Sequence, residues 1–196
     1  AQLAWDKSYM AGNTSTSHNT YYEPHPTEAL YNLKSDPWEQ NNLATEPAYQ
    51  TKLAELREAN NRYIRQVKDL GFLSWEERTA LTQQGKDFYS WAREINYPLS
   101  DLISLAEKAS DGKMEDLPIF LDNLKSDKSS FRFWGISGLA HLAQRGKLKA
   151  IPKEIRPLLD PNEDEDVSAL AAEILVRMGE EERGLRFLLS KFKPMG

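Results

Sequence analysis

Apolar residues recur along most of the chain at the three- and four-residue spacings of a helix that faces a core. From Pro47 onward, Tyr49, Leu53, Leu56, Asn60, Tyr63, Val67 and Leu70 fall on one stripe and predict a helix that Gly71 ends. Thr45, Glu46 and Pro47 mark its start, because proline in the first turn loses no hydrogen bond. The stripe holds fewer than four heptads and carries a polar Asn60 in its seam, which favours a helix packed on a neighbouring domain over a free coiled coil. Residues 72–97 are mixed, with Ser74 and Glu77 at capping-box spacing and aromatics at Phe88, Tyr89, Trp91 and Tyr97. They read as a connecting segment lying on its neighbours. Beyond Pro98 the pattern is helical throughout, beginning with Leu99, Leu102, Ile103 and Ala106 on one face.

This last region contains a repeat. Residues 127–146 superimpose on residues 165–179 at an offset of 36, so that Phe131 meets Val167, Trp134 meets Leu170, Leu139 meets Leu175 and Leu142 meets Met178. Each copy follows a shorter apolar segment, from Leu117 and from Ile151, so the unit is a helical hairpin. Self-similarity of this length predicts an α-solenoid of paired antiparallel helices with Trp134, Leu139, Leu170 and Leu175 in a shared core. Asp127 in one copy, and Asp164 or Asp166 in the other, stand where a carboxylate favours the positive end of the second helix.

The first 46 residues carry a different pattern. AGNTSTSHNT is an irregular polar loop, followed by Tyr21 and Tyr22. In EALYNLKSDPWEQNNLA, residues 28–44, the alternation of Ala29, Tyr31 and Leu33 predicts a short strand. Asp36 and Pro37 favour a turn, and Asn41 and Asn42 can bond their own backbone. The order is strand, turn, helix.

Charge and chemistry narrow the function classes. A net charge of −5 and a pI near 5.4 leave no basic footprint for DNA, RNA or an anionic membrane. There is no cysteine, hence no thiolate metal site or thiol nucleophile, and no apolar run approaches a membrane span. The first residue, Ala1, suits a processed protein or an excised fragment. Asp160, Asn162, Asp164 and Asp166 have the spacing that opens a calcium loop. Glu165 stands where glycine must make its turn, however, and Ala171 where a bidentate glutamate belongs, so a solvated loop is expected. His18, His25 and His141 show no zinc-ligand spacing and read as structural. No catalytic, cofactor-binding or metal-ligating residue is assigned. Tyr21, Tyr22 and Trp38 suit either a sugar-stacking platform or, as favoured here, the interface of a domain lying outside the chain.

Residues 28–44 resemble the closing segment of the sulfatase family, through Glu28, Leu30, Tyr31, Leu33, Asp36, Pro37, Glu39, Asn42 and Leu43; Ala29 and Asn32 depart from the pattern. With PHPTEALY before it and the helical tail after Tyr97, the chain is similar to a bacterial subgroup of heparan N-sulfatase-like enzymes carrying a HEAT-like extension. The resemblance covers about residues 20–70, and 98–196 more loosely. It implies a mainly α fold: a small sulfatase C-terminal closure element of short strand, turn and long helix, then a HEAT-like α-helical repeat. The expected divisions are 1–71 for the remnant of the sulfatase C-terminal subdomain, 72–97 for the connecting segment and 98–196 for the repeat. In the family, the nucleophile is a formylglycine made within a Cys/Ser-x-Pro-Ser-Arg signature, and calcium is held by upstream Asp and Asn residues. Neither is in this chain, so no catalytic residue carries over.

The resemblance implies a non-catalytic C-terminal portion of a sulfatase acting on sulfated carbohydrate. Its partner is an upstream catalytic domain supplying formylglycine and calcium, and the parent enzyme is periplasmic or secreted. If Glu28 to Leu33 closes a sheet whose other strands lie elsewhere, the chain self-associates through Tyr21, Tyr22, Leu30 and Trp38. The alternative is an independent helical-repeat module that binds a protein or glycan.

Overall fold

The computed structural model describes residues 2–23, 25–83, 85, 87–94 and 97–191, and it is mainly helical, with no strand among them. The chain divides into two compact units, Ala1–Arg62 and Tyr63–Gly196.

In the first unit, α1 (Gln2–Met10) and α2 (Thr16–Asn19) precede a long irregular stretch. A single 3-10 turn, Pro47–Tyr49, then leads into α3 (Gln50–Val67), so the proline start is where the sequence placed it. The helix stops at Val67, short of Gly71. Lys68 takes a left-handed conformation (φ 54°), and the Asp69 N–H reaches back to the Ile64 carbonyl at 3.0 Å, which closes the last turn. Leu53 is the one buried residue of α3, and Leu56 and Tyr63 are exposed.

The strand expected at residues 28–33 is absent. The backbone there lies outside any helix or strand as far as Asn32 and turns from Leu33 to Ser35. Its bonds go to a side chain instead of a second strand. Asn42 Oδ1 accepts from the Leu30 N–H (3.0 Å) and the Ala44 N–H (2.9 Å), while its Nδ2 donates to the Glu28 carbonyl (3.2 Å). One backbone bond, from the Leu43 N–H to the Leu30 carbonyl (2.8 Å), completes the closure. An asparagine amide carries the donor and acceptor of a peptide group, so it can stand in for a neighbouring strand at one position.

The second unit is built on α4 (Trp75–Gln83), α5 (Phe88–Glu94), α6 (Leu99–Asp111), α7 (Leu117–Asn123), α8 (Ser129–Gln144), α9 (Glu165–Arg177) and α10 (Glu181–Lys191). Helices α6 and α8 run parallel. Tyr97 meets Phe131 at their starts (ring centroids 6.4 Å apart), and His141 Nδ1 meets the Ala109 carbonyl (2.7 Å) near their ends. Arg132 and Glu163 join the start of α8 to the approach to α9. Helix α7 runs back against α8, with Asn123 and Leu124 beside Gly135 and Phe120 beside Gly138. Helix α10 returns along α9, with Gly184 seated on the Ala172 carbonyl and Val176. The shared core joins Leu105 and Ala109 of α6, Phe120 of α7, Ile136, Leu139 and Leu142 of α8, and Val167, Ile174 and Leu175 of α9.

Leu139 and Leu175 therefore lie in the core as the repeat requires, whereas Trp134 and Leu170 are only partly buried at its edge. Trp134 instead donates from Nε1 to the Phe72 carbonyl at 2.8 Å. The apolar segment from Ile151 forms a 3-10 turn, Arg156–Leu159, in place of a helix matching α7. Pro152 and Pro157 lack the N–H groups a continuous helix would need. Asp164 caps α9, accepting from the Asp166 and Val167 N–H groups, but Asp127 does not cap α8, whose N-cap is Lys128.

Residues 72–97 supply a second buried cluster: Leu73, Leu81, Trp91 and Ala92, with Leu102 of α6. Ser74 makes the expected cap, its Oγ accepting from the Glu77 N–H at 3.3 Å. It also joins a polar seam. The Ser74 N–H donates to Ser130 Oγ, Ser74 Oγ meets Ser129 Oγ (both 2.8 Å), and the Glu77 carboxylate accepts from Ser130 Oγ and from Tyr97 OH (2.7 Å).

Candidate functional site

Some of the residues singled out in the sequence, Tyr21, Trp38, Tyr31, Glu39 and Asn42, line an open cleft of about 830 Å³ in the first unit. Two aromatic layers form one wall. Trp5 of α1 stacks on Tyr21 (centroids 5.0 Å apart, planes at 21°), and behind them Tyr9 stacks on Tyr22 (3.9 Å, 13°). Tyr22 contacts Trp5 and Tyr21 edge-on. Its hydroxyl donates to Asp6 Oδ1 at 2.8 Å. Desolvation among the rings, then the hydrogen bond to the Asp6 carboxylate and its negative charge, push the Tyr22 phenol up to about 12. Tyr22 is thus a half-buried packing residue, while Tyr21 and Trp38 keep 54% and 80% of their surface exposed and line the cleft.

The motif residues divide by task. Glu28 holds a two-pronged ion pair with Arg57 of α3 (2.5 and 2.6 Å), which ties the closure to the helix. Leu30, Asn42 and Leu43 make the bonds described above. The Asp36 carboxylate accepts from the Gln40 and Asn41 N–H groups (3.1 and 2.8 Å) and so holds the turn that Pro37 enters. Glu39 sits in that turn with φ 52°. Leu33 is exposed. Tyr31, Glu39 and Asn42 face the cleft, alongside residues the sequence reading left apart: Trp5, His18 and His25. His18 Nδ1 lies 3.0 Å from Ser15 Oγ, and its ring stands edge-on to Trp5. Contacts that bridge thirteen to sixteen residues, from α1 across a turn to α2 and beyond, leave no periodic signal.

The cleft offers flat rings with hydrogen-bonding groups at their edges, which suits a polar molecule with apolar faces or the surface of another domain. Among the described residues no group of three or more His, Asp and Glu side chains is placed to hold a metal ion. In the acidic run of the second unit, Asp160 Oδ1 accepts from the Asn162 N–H (2.8 Å) and Asp164 caps α9, so these carboxylates are engaged in shaping the loop. His141 is fixed by its bond to the Ala109 carbonyl. No described helix is long and apolar enough to cross a membrane.

No known family pattern matches the chain, and no solved structure matches it. A stretch of 44 residues is 48% identical to an ulvan-active sulfatase of Formosa agariphila; it takes in 22% of this chain and 7% of that relative. The likeness to a sulfatase is to that stretch of the chain.

Proposed function

We propose that the chain is the C-terminal, non-catalytic portion of a sulfatase acting on sulfated carbohydrate. The observation that carries this reading is the 48% identity over 44 residues with an ulvan-active sulfatase. The resemblance of residues 28–44 to the closing segment of that family supports it, and in this chain the segment is tied together by Asn42 and joined to α3 by Glu28. In the parent enzyme, which we place in a heparan N-sulfatase-like subgroup, the upstream domain supplies formylglycine and calcium. The first 71 residues close its C-terminal subdomain, and residues 98–196 form a HEAT-like appendage reached through 72–97. Tyr21 and Trp38 meet the upstream domain; without it, they pair between two copies of this chain.

The test is truncation of the parent. Removing the residues equivalent to 1–71 should abolish soluble, active enzyme on a sulfated oligosaccharide with calcium, whereas removing only those equivalent to 98–196 should leave turnover measurable. Full activity without residues 1–71 would overturn the reading. One observation favours the alternative of an independent repeat module: residues 63–196 form a compact unit with a core of their own.

A further inference from the structure

The open cleft of the first unit is lined by aromatic rings and polar groups, and among the described residues no Ala, Val, Leu, Ile or Met lines it. The centre of a protein–protein interface is apolar and depleted in carboxylates, whereas here Glu23 and Glu39 stand among the rings. Glu23, Glu39 and Gln40 make no side-chain hydrogen bond or ion pair with the described residues, so their polar atoms are open to a ligand. Trp38 presents the most exposed ring of the lining, and no ring or cation among the described residues lies over it. The turn that carries it is fixed, since the Asp36 carboxylate accepts from the Gln40 and Asn41 N–H groups beyond it. Tyr21 is stacked on Trp5 and still keeps half of its surface exposed.

This combination matches a sugar ring, whose C–H faces rest on an aromatic plane while its hydroxyls, at the rim, donate to carboxylates and amides. The volume, about 830 Å³, is that of a small-molecule site. Charge decides which part of a carbohydrate fits. The lining holds two carboxylates and no lysine or arginine, so a sulfate or carboxylate group on the sugar is repelled. The ring that fits is uncharged.

We propose that this cleft binds a neutral pyranose unit of a carbohydrate chain, held against the rings of Trp38 and Tyr21 and hydrogen-bonded through its hydroxyls to Glu23, Glu39 and Gln40. The proposal rests on the sulfatase reading for its substrate class and adds a site to it. The unit held carries no sulfate and is a neighbour, in the same chain, of the unit from which the upstream domain removes one. It lies beside the contact that Tyr21 and Trp38 make with that domain. The two ideas fail separately, because the catalytic domain is tested in the gene upstream and the sugar site is tested on this chain alone.

The experiment titrates the full chain with cellobiose, lactose and xylobiose at pH 7 and low salt, at a protein concentration where light scattering shows single chains. NMR follows the backbone amides and the indole N–H groups. At least one of the three should bind with a Kd on the order of 1 mM, with saturable shifts at residues 38–42 and at the Trp5 and Trp38 indoles. Trp75, Trp91 and Trp134, in the second unit, serve as unshifted controls. Trp38→Ala, at an exposed position, should weaken binding by about tenfold or more without unfolding the chain, Trp38→Phe should keep most of it, and Glu39→Gln should weaken it by about threefold. Lactose 6′-sulfate should bind more weakly than lactose. No saturable shift with any of the three sugars, or equal binding by Trp38→Ala, overturns the proposal. So does tighter binding of the sulfated sugar, which would mark a sulfate subsite.

Discussion

Gly138 stands where α8 crosses Phe120 of α7, and adding one methyl group there separates two opposing effects. Within a helix, alanine is favoured over glycine by about 1 kcal/mol, so a substitution in open space would stabilise. Here the new Cβ would lie 2.7 to 2.8 Å from three carbon atoms of the Phe120 ring. That ring is fully buried in the core. One turn earlier, at Gly135, an added Cβ would already meet the Phe120 carbonyl at 2.9 Å, so the two helices lie close at this crossing. Overpacking of this kind costs about 1 to 3 kcal/mol, and a fully enclosed ring places the cost in the upper part of that range. Gly138→Ala should therefore destabilise the second unit by about 1 to 2 kcal/mol net. In urea unfolding followed by circular dichroism, the midpoint should fall at unchanged slope. Combining it with Phe120→Leu should recover part of the loss, giving a favourable coupling between the two sites. A variant as stable as the parent, or more stable, would refute the close crossing of α7 and α8.

The other predictions follow from single contacts. Asn42→Ala removes the side chain that stands in for a strand, and should destabilise the first unit by about 1 to 3 kcal/mol, with hydrogen exchange at the Leu30 and Ala44 amides sped up; unchanged protection there would contradict the clamp. Trp134→Ala should cost about 2 to 3 kcal/mol, below the range for a fully buried ring, and Trp134→Phe about 1 kcal/mol for the lost bond to Phe72. Tyr97 is pushed well above the ordinary phenol value, first by burial and then by its bond to the Glu77 carboxylate. Its folded form thus holds the proton more tightly than its unfolded form. Its contribution is complete below pH ~10 and is lost as the pH rises beyond that, and Tyr97→Phe should flatten this alkaline limb of the stability curve. Light scattering across a concentration series should show the isolated chain self-associating through the face that carries Tyr21 and Trp38, and Trp38→Ser should reduce it.

Much of the helical architecture is legible in the chain because helices write local rules. Pro47 before α3, Ser74 with Glu77, and Asp164 before α9 each act within three residues, and each sits where its spacing predicts. Leu139 and Leu175 obey the repeat for the same reason. Readings that failed depended on partners distant in sequence. The alternation from Ala29 to Leu33 looks like a strand, yet a strand needs a neighbour, and the Asn42 amide took that place. Trp134 and Leu170 sit at equivalent repeat positions, but Phe72 offered the indole a carbonyl at the edge of the core. The cleft was half visible: Tyr21 and Trp38 stand out as exposed rings, while Trp5 and His18 join them only because α1 and α2 fold back on one another.

The central claim, that this chain is the closing part of a sulfatase, is tested most directly by sequencing the gene upstream of the codon for Ala1. The account predicts an in-phase reading frame that encodes a Cys/Ser-x-Pro-Ser-Arg signature and the Asp and Asn residues of a calcium site. A stop codon in phase immediately upstream, or a long upstream frame lacking that signature, would contradict it.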